Sequence, residues 1–251
     1  MLPKAKKSLG QNFLVDESVV PKMIDAAAIR PGEIVLEVGP GTGVLTRALV
    51  AVGAKVIAVE ADRDLIPGLK KEFGERITLI EGDILKLARD DKTYKLVANI
   101  PYNITSQLLE RFLTTPPRPQ RMVLMVQKEV ADRLTAVPPR MSLLSVVCQL
   151  YADCSRVAIV KAGAFRPIPK IDSAIVRLDL YGEGHPLLAG RHPEEVIAFA
   201  KRGFASKRKQ LKSNLGQKIV PVLERMGLDP RIRAEALTVE QWIELSLGLS
   251  R

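Results

Sequence analysis

Cysteine and histidine are scarce in this chain of 251 residues, with two of each. Cys148 and Cys154 stand six positions apart in an apolar, helical-looking stretch, a spacing that fits neither a disulfide framework nor a metal knuckle. Both read as reduced structural residues. His185 and His192 fall among Gly182, Gly184, Pro186, Gly190 and Pro193, a linker-like composition that argues against catalytic or metal-binding roles. Aromatic residues make up only 4% of the chain, and the lone tryptophan, Trp242, reads as core. No apolar run reaches membrane-spanning length. The first residues also lack the apolar centre of a secretory leader, so the expectation is a cytoplasmic protein. Internal repeats and low-complexity tracts are missing as well.

Acidic residues are absent from two stretches that basic residues fill. Between 201 and 218 stand Lys201, Arg202, Lys207, Arg208, Lys209, Lys212 and Lys218, and the first residues add Lys4, Lys6 and Lys7. The whole chain carries a formal charge of +10. Like charges without partners cost stability, so such clusters point to a polyanion such as nucleic acid. A merely solvated basic face is the alternative.

What is present begins with Ile34-Val35-Leu36-Glu37-Val38, then Gly39-Pro40-Gly41-Thr42-Gly43, then the apolar helical run 44–50. Strand, glycine turn and helix in that order bring backbone N–H groups close to a ligand, which predicts a nucleotide-like cofactor. A dinucleotide fingerprint places its third glycine three positions after the second, where this chain has Val44, so the spacing argues against a nicotinamide cofactor. The next strand, Lys55-Val56-Ile57-Ala58-Val59, ends in Glu60, placed to accept ribose hydroxyls. A third, Ile77-Thr78-Leu79-Ile80, leads to Asp83, a candidate acceptor for an adenine amino group. Each acid alone also fits a solvated turn; repetition at successive strand ends favours a shared site.

After the apolar run Tyr94-Lys95-Leu96-Val97-Ala98 comes Asn99-Ile100-Pro101-Tyr102. An aromatic adenine amine is a poor nucleophile because its lone pair is delocalised into the ring. The Asn99 amide oxygen and a carbonyl at Ile100 or Pro101 are suited to accept its two N–H bonds and turn that lone pair toward an electrophile. Pro101 stiffens the turn, and Tyr102 offers a flat face for an unstacked base. A plain Asn-Pro turn with a core tyrosine is the alternative.

With these residues in view the chain resembles the ribosomal RNA adenine dimethyltransferases. The resemblance rests on Lys7-Ser8-Leu9-Gly10-Gln11-Asn12-Phe13-Leu14, the glycine loop, Asn99-Ile100-Pro101-Tyr102-Asn103, Gln127-Lys128-Glu129-Val130 and Phe165-Arg166-Pro167-Ile168-Pro169-Lys170-Ile171-Asp172-Ser173-Ala174, in that order. The tail, including 204–211 and 229–235, is similar to family segments too. One departure is Pro138-Pro139-Arg140-Met141, where relatives usually carry a Tyr-Gly pair. The resemblance implies transfer of two methyl groups from S-adenosyl-L-methionine to each of two adjacent adenosines near the 3′ end of small-subunit RNA, by a monomer acting on the immature subunit. It implies Gly39 and Gly41 near the cofactor's methionine and ribose, Glu60 on the ribose, Asp83 near the adenine, and Asn12 and Leu14 closing over it. Phe165 becomes a candidate for the second face of the target base, or equally a core anchor. A large-subunit methyltransferase and an RNA-binding assembly or transcription factor of the same fold are the rival functions.

The architecture expected is α/β. Strands near 34–38, 55–60, 77–81, 95–99, 122–127, 156–161 and 174–180 alternate with helices, and the resemblance implies a Rossmann-like class I methyltransferase sheet of seven strands with the last antiparallel. Asp16 reads as a helix N-cap, Pro193-Glu194-Glu195 as a first turn and Thr238-Val239-Glu240-Gln241 as a capping box. These divide the chain into a methyltransferase domain at 1–181, a linker at 182–192 and a helical RNA-recognition domain at 193–251.

Overall fold

A computed structural model describes residues 2–87 and 92–249. The first elements are β1 (Phe13–Leu14), α1 (Val20–Ala27), β2 (Ile34–Val38), α2 (Val44–Ala51), β3 (Lys55–Glu60), α3 (Ile66–Phe73) and β4 (Ile77–Glu81). They are followed by β5 (Lys95–Asn99), α4 (Thr105–Thr114), β6 (Arg121–Gln127), α5 (Lys128–Leu134), α6 (Leu143–Tyr151), β7 (Ala152–Val160), β8 (Phe165–Arg166) and β9 (Ser173–Leu180). The rest is helical: α7 (Pro193–Gly203), α8 (Leu211–Leu215), α9 (Val220–Arg225) and α10 (Val239–Gly248).

The main sheet has seven strands in the order β4-β3-β2-β5-β6-β9-β7. Strands β2 to β6 run parallel. β9 is antiparallel to β6, with Arg121 opposite Asp179 and Gln127 opposite Ser173, and an Arg121 Nε to Asp179 Oδ1 ion pair of 2.5 Å pins one end of that register. The central strands are near-continuous apolar runs, as strands buried on both faces must be: Leu96, Val97, Ala98 and Met122 to Val126 are fully buried. After β2 the chain builds β3 and β4 on one side and returns to lay β5 on the other. The carboxyl ends of β2, β3 and β5 therefore border the switch point where open α/β sheets hold ligands.

Local signals explain the helix starts. Asp16 accepts from Ser18 N at 3.0 Å and caps the short turn leading into α1. The Thr238–Gln241 capping box closes in both directions, at 2.9 and 3.2 Å. A second box forms just after the Pro138-Pro139 departure, where the Ser142 and Ser145 side chains and backbones bond reciprocally to open α6. Among the described residues no helix is long and apolar enough to cross a membrane.

The chain divides into two units, Met1–Ala131 with Ser155–Leu180, and Asp132–Cys154 with Tyr181–Arg251. This departs from the expected first domain at 1–181. In the second unit α6 packs against α7 and α10, so an apolar helix that looks from sequence like part of the α/β alternation belongs with the C-terminal helices. The segment expected to be a linker is packed as well: Tyr181 N bonds Tyr151 O at 2.8 Å, His185 N bonds Leu150 O at 2.7 Å, and Leu188 is buried. Cys154 lies in strand β7 rather than in a helix. The core of this unit gathers on Trp242, fully buried, with the Phe199 and Phe204 rings at 6.1 and 5.4 Å and Gly203 leaving the space that its indole fills.

Candidate active site

A cleft opens within the first unit at the sheet's switch point. Its walls come from residues 10–14, from the turn after β2, from the end of β3 and from the turn after β5. Asn12, Leu14, Gly39, Gly41, Glu60, Asn99, Pro101 and Tyr102, all expected from sequence, line it.

The glycine turn works as its composition requires. Gly39, Gly41 and Gly43 all take positive φ, between 59° and 76°, a region that side chains avoid. Only the first two line the cleft. Gly43 faces α3 instead, where a Cβ would fall 2.7 Å from the Phe73 ring, so it secures helix packing rather than ligand approach. Glu60 ties this turn to the end of β3: Oε2 accepts from Gly41 N at 3.0 Å and Oε1 from Asp62 N at 2.8 Å. Burial pushes its carboxyl above the usual range, opposed by those two backbone N–H groups. Two of about four lone-pair directions remain for a ligand.

Glu37 also lines the cleft, and the sequence reading assigns it no role. It is 1% exposed, and burial raises its carboxyl to about 8, with the nearby Glu60 adding to the rise and Thr46 opposing it. Neither Glu37 Oε2 nor Thr46 Oγ1 completes a hydrogen bond among the described residues. A buried carboxyl with an unsatisfied oxygen on a cleft wall is suited to a polar ligand. The signal is legible in the chain: an acid inside the apolar run Ile34–Val38.

The turn after β5 presents acceptors. Asn99 Nδ2 donates to the Asn12 carbonyl at 3.4 Å, which leaves Oδ1 as the uncommitted end of the amide. The Pro101 carbonyl accepts from Ile104 N at 3.2 Å and so closes the next turn. Between the two carbonyls considered from sequence, Ile100 is therefore the one left open. Tyr102 is half-buried, with its Oη 2.7 Å from Oγ of the fully buried Ser173. Burial raises the phenol, and Ser173 opposes that rise. One hydroxyl pair thus fixes the ring against rotation out of the cleft wall.

Two expected residues lie elsewhere. Asp83 is exposed and is not among the cleft-lining residues; its Oδ1 accepts from Leu85 N at 2.9 Å, capping the turn that follows β4. Strand β4 is the edge of the sheet, beside β3, and Gly82 N bonds the Glu60 carbonyl at 2.8 Å. Phe165 is 1% exposed in the apolar core and is not among the cleft-lining residues either. It pairs across from Leu14 in the β1–β8 ribbon, so it anchors the ribbon rather than offering a free face to a base.

The basic residues also separate. Lys6 is held in ion pairs to Asp62 at 2.5 Å and Asp64 at 2.6 Å. Lys4 and Lys7 are exposed. In the second unit Lys201 and Arg202 close the exposed end of α7, with the Arg202 guanidinium over the Phe199 ring at 5.4 Å. Lys207, Arg208 and Lys209 occupy an exposed turn, and Lys212 is partly buried at the start of α8. Asn214 Nδ2 holds that turn through the Gly203 carbonyl at 2.6 Å and the Ser206 carbonyl at 3.4 Å.

Comparison with known proteins agrees with this geometry. The family model described as ribosomal RNA adenine dimethylase matches residues 2–250. A protein named ribosomal RNA small subunit methyltransferase A from Thermosynechococcus vestitus is 43% identical, covering 97% of this chain and 96% of its own. The crystal structure of a dimethyladenosine transferase from Plasmodium falciparum superposes with a TM-score of 0.82 at 27% identity, over 95% of this chain and 97% of that one. That of the 23S rRNA methyltransferase ErmE gives 0.81 at 27% identity, over 96% and 100%.

Proposed function

The chain belongs to the ribosomal RNA adenine dimethylase family, and from that premise we propose that it methylates the N6 amines of two adjacent adenosines near the 3′ end of small-subunit ribosomal RNA, giving N6,N6-dimethyladenosines. The methyl donor in this reading is S-adenosyl-L-methionine, the acceptor is the immature small subunit, and the enzyme works as a monomer. The observation that carries the reading is the Asn99 turn: its amide N–H is occupied by the Asn12 carbonyl, so Oδ1 and the Ile100 carbonyl stand as a pair of acceptors in the same cleft as the glycine turn and Glu60.

The residues present fit the donor. Glu37 supplies an orphaned buried oxygen for a polar group, Glu60 retains lone pairs for ribose hydroxyls, the Gly39–Gly41 stretch permits close backbone approach, and Phe13, Leu14, Met23 and Leu45 line the rest with apolar surface. When bound, S-adenosyl-L-methionine supplies an electrophilic methyl group. The chain's own contribution is positioning. Asn99 Oδ1 and the Ile100 carbonyl accept the amine's two N–H bonds and turn its lone pair inward. Pro101 holds those acceptors in one conformation, and Tyr102, fixed by Ser173, lies under a base taken out of its stack. No side chain is needed as general base, because the amine becomes acidic once alkylated and gives its proton to water. Lys4, Lys7, Lys201, Arg202, Lys207, Arg208, Lys209 and Lys212 serve the RNA backbone.

Calorimetric titration with S-adenosyl-L-methionine separates the two acids that the sequence pattern groups together. Glu60→Ala is expected to weaken binding by about 1.5–3 kcal/mol, the loss of a charge-assisted hydrogen bond. Asp83→Ala is expected to bind as the parent does. Unchanged affinity in Glu60→Ala would remove the ribose role from this carboxylate, and a weakening in Asp83→Ala would put the sheet edge back into the site.

A further inference from the structure

The N-terminal segment that walls the cleft is fastened by a charge cluster that neither the glycine turn nor the Asn99 turn uses. Lys6 Nζ contacts Asp62 Oδ1 at 2.5 Å and Asp64 Oδ2 at 2.6 Å, and Gln11 Nε2 donates to Asp62 Oδ2 at 2.7 Å. The Gln11 side chain in turn accepts from the Lys6 backbone N at 2.7 Å. Asp62 is 2% exposed, yet its carboxyl is held below the usual range: burial would push it up, and Lys6, Gln11 and the Asp64 N–H outweigh that. The same residue gives its backbone N–H to Glu60. The cover of the cleft is thus joined to the strand end that carries the proposed ribose ligand.

Downstream of the latch the segment continues against the reaction centre. Gly10 packs so closely on Asn103 that a Cβ would fall 2.5 Å from its Oδ1, and the Asn12 carbonyl holds the Asn99 amide. Residues 10–14 all line the cleft. An exposed ion pair is worth little. Here one partner is buried, so removing Lys6 strands a carboxylate that the segment must then vacate or rehydrate.

We infer that Lys6 and Asp62 are positioning residues whose ion pair latches residues 6–12 over the cleft and sets how fast an S-adenosyl ligand escapes. The inference rests on the proposed cofactor. Lys6, which sequence alone would assign to RNA, acts on the cofactor side in this reading, through Gln11 and Asn12.

Stopped-flow dissociation of S-adenosyl-L-homocysteine, which cannot donate a methyl group, reads the latch directly. Lys6→Met and Asp62→Asn are each expected to release it about tenfold faster than the parent, the double variant no faster than the singles, and Lys6→Arg at close to the parent rate. In the ligand-free protein, amide hydrogen exchange across residues 10–14 should accelerate in Lys6→Met and not in Lys22→Met, which removes an exposed charge elsewhere. Lys6 lies on the surface, so its variant keeps the test valid if Asp62→Asn fails to fold. Release and exchange in Lys6→Met within twofold of the parent would overturn the latch. Additive effects in the double variant would overturn the pairing. Failure of the parent to bind S-adenosyl-L-homocysteine would instead overturn the cofactor assignment beneath it.

Discussion

Asn99→Ala is expected to slow single-turnover methylation by about 10²–10³-fold, the range for removing one preorganised hydrogen-bonding group from a reacting centre, while S-adenosyl-L-methionine affinity stays within a few fold of the parent. The asymmetry follows from geometry. Asn99 spends its N–H on the Asn12 carbonyl at 3.4 Å, a long bond on a segment that the β1–β8 ribbon and the Lys6 ion pairs also hold. Its Oδ1 has no such duty. Without that acceptor the amine keeps one fixed N–H at the Ile100 carbonyl and swings about it, so the lone pair points at the donor for only a small part of the time. Rapid-quench measurement with saturating cofactor and RNA checks this. A rate near the parent's would mean that Asn99 only shapes the turn, and a matching collapse of cofactor affinity would move its role to the donor.

Replacing Lys207, Arg208 and Lys209 together by alanine is expected to weaken binding to small-subunit RNA on the order of ten- to a hundredfold at low salt. The slope of log K against log salt should flatten by up to about 0.9 for each phosphate that the variant no longer neutralises, and less on single strands. The three side chains occupy an exposed turn whose conformation is set by Asn214 bonding the Gly203 and Ser206 carbonyls, so alanines leave the turn in place. The cleft proposed to hold the cofactor lies in the other unit, and cofactor affinity should not move. Equal affinity and equal slope across a salt titration would make the run a solvated surface and leave recognition to Lys4, Lys7 and the remaining basic residues.

Sequence conveys best the features whose partners are close in the chain. The Thr238 box and the Pro193 start are complete within a few residues and form in place; the glycine turn and the Asn99-Ile100-Pro101-Tyr102 turn form where expected too, though Glu60, Asn12 and Ser173 hold them from a distance. Interactions that depend on distant segments are not legible in the same way. Nothing in Lys4-Ala5-Lys6-Lys7 distinguishes Lys6 from its neighbours until folding brings Asp62 beside it. Two-residue strands carry no period, so the β1–β8 ribbon that buries Phe165 is invisible in the sequence. Asp83 looks like a site residue because acids recur at successive strand ends, a pattern that does not say where strand β4 sits in the sheet. Asp132–Cys154, expected inside the first domain, falls in the second unit for a similar reason: α6 is apolar enough to cover a sheet, and only its packing on α7 and α10 shows where it belongs. Glu37 is the opposite case, legible as a charge inside an apolar strand and overshadowed by the glycines beside it.

In the proposed reaction this cleft presents an adenine N6 amine of small-subunit RNA to a methyl donor. Incubating the protein with S-adenosyl-L-methionine and unmethylated small ribosomal subunits, then mapping modified nucleosides by mass spectrometry of RNA fragments, tests it most directly. Two adjacent N6,N6-dimethyladenosines near the 3′ end are expected, and none in the Asn99→Ala reaction over the same time. Methylation confined to a large-subunit adenosine, or no methylation by protein that binds the donor normally, would contradict it.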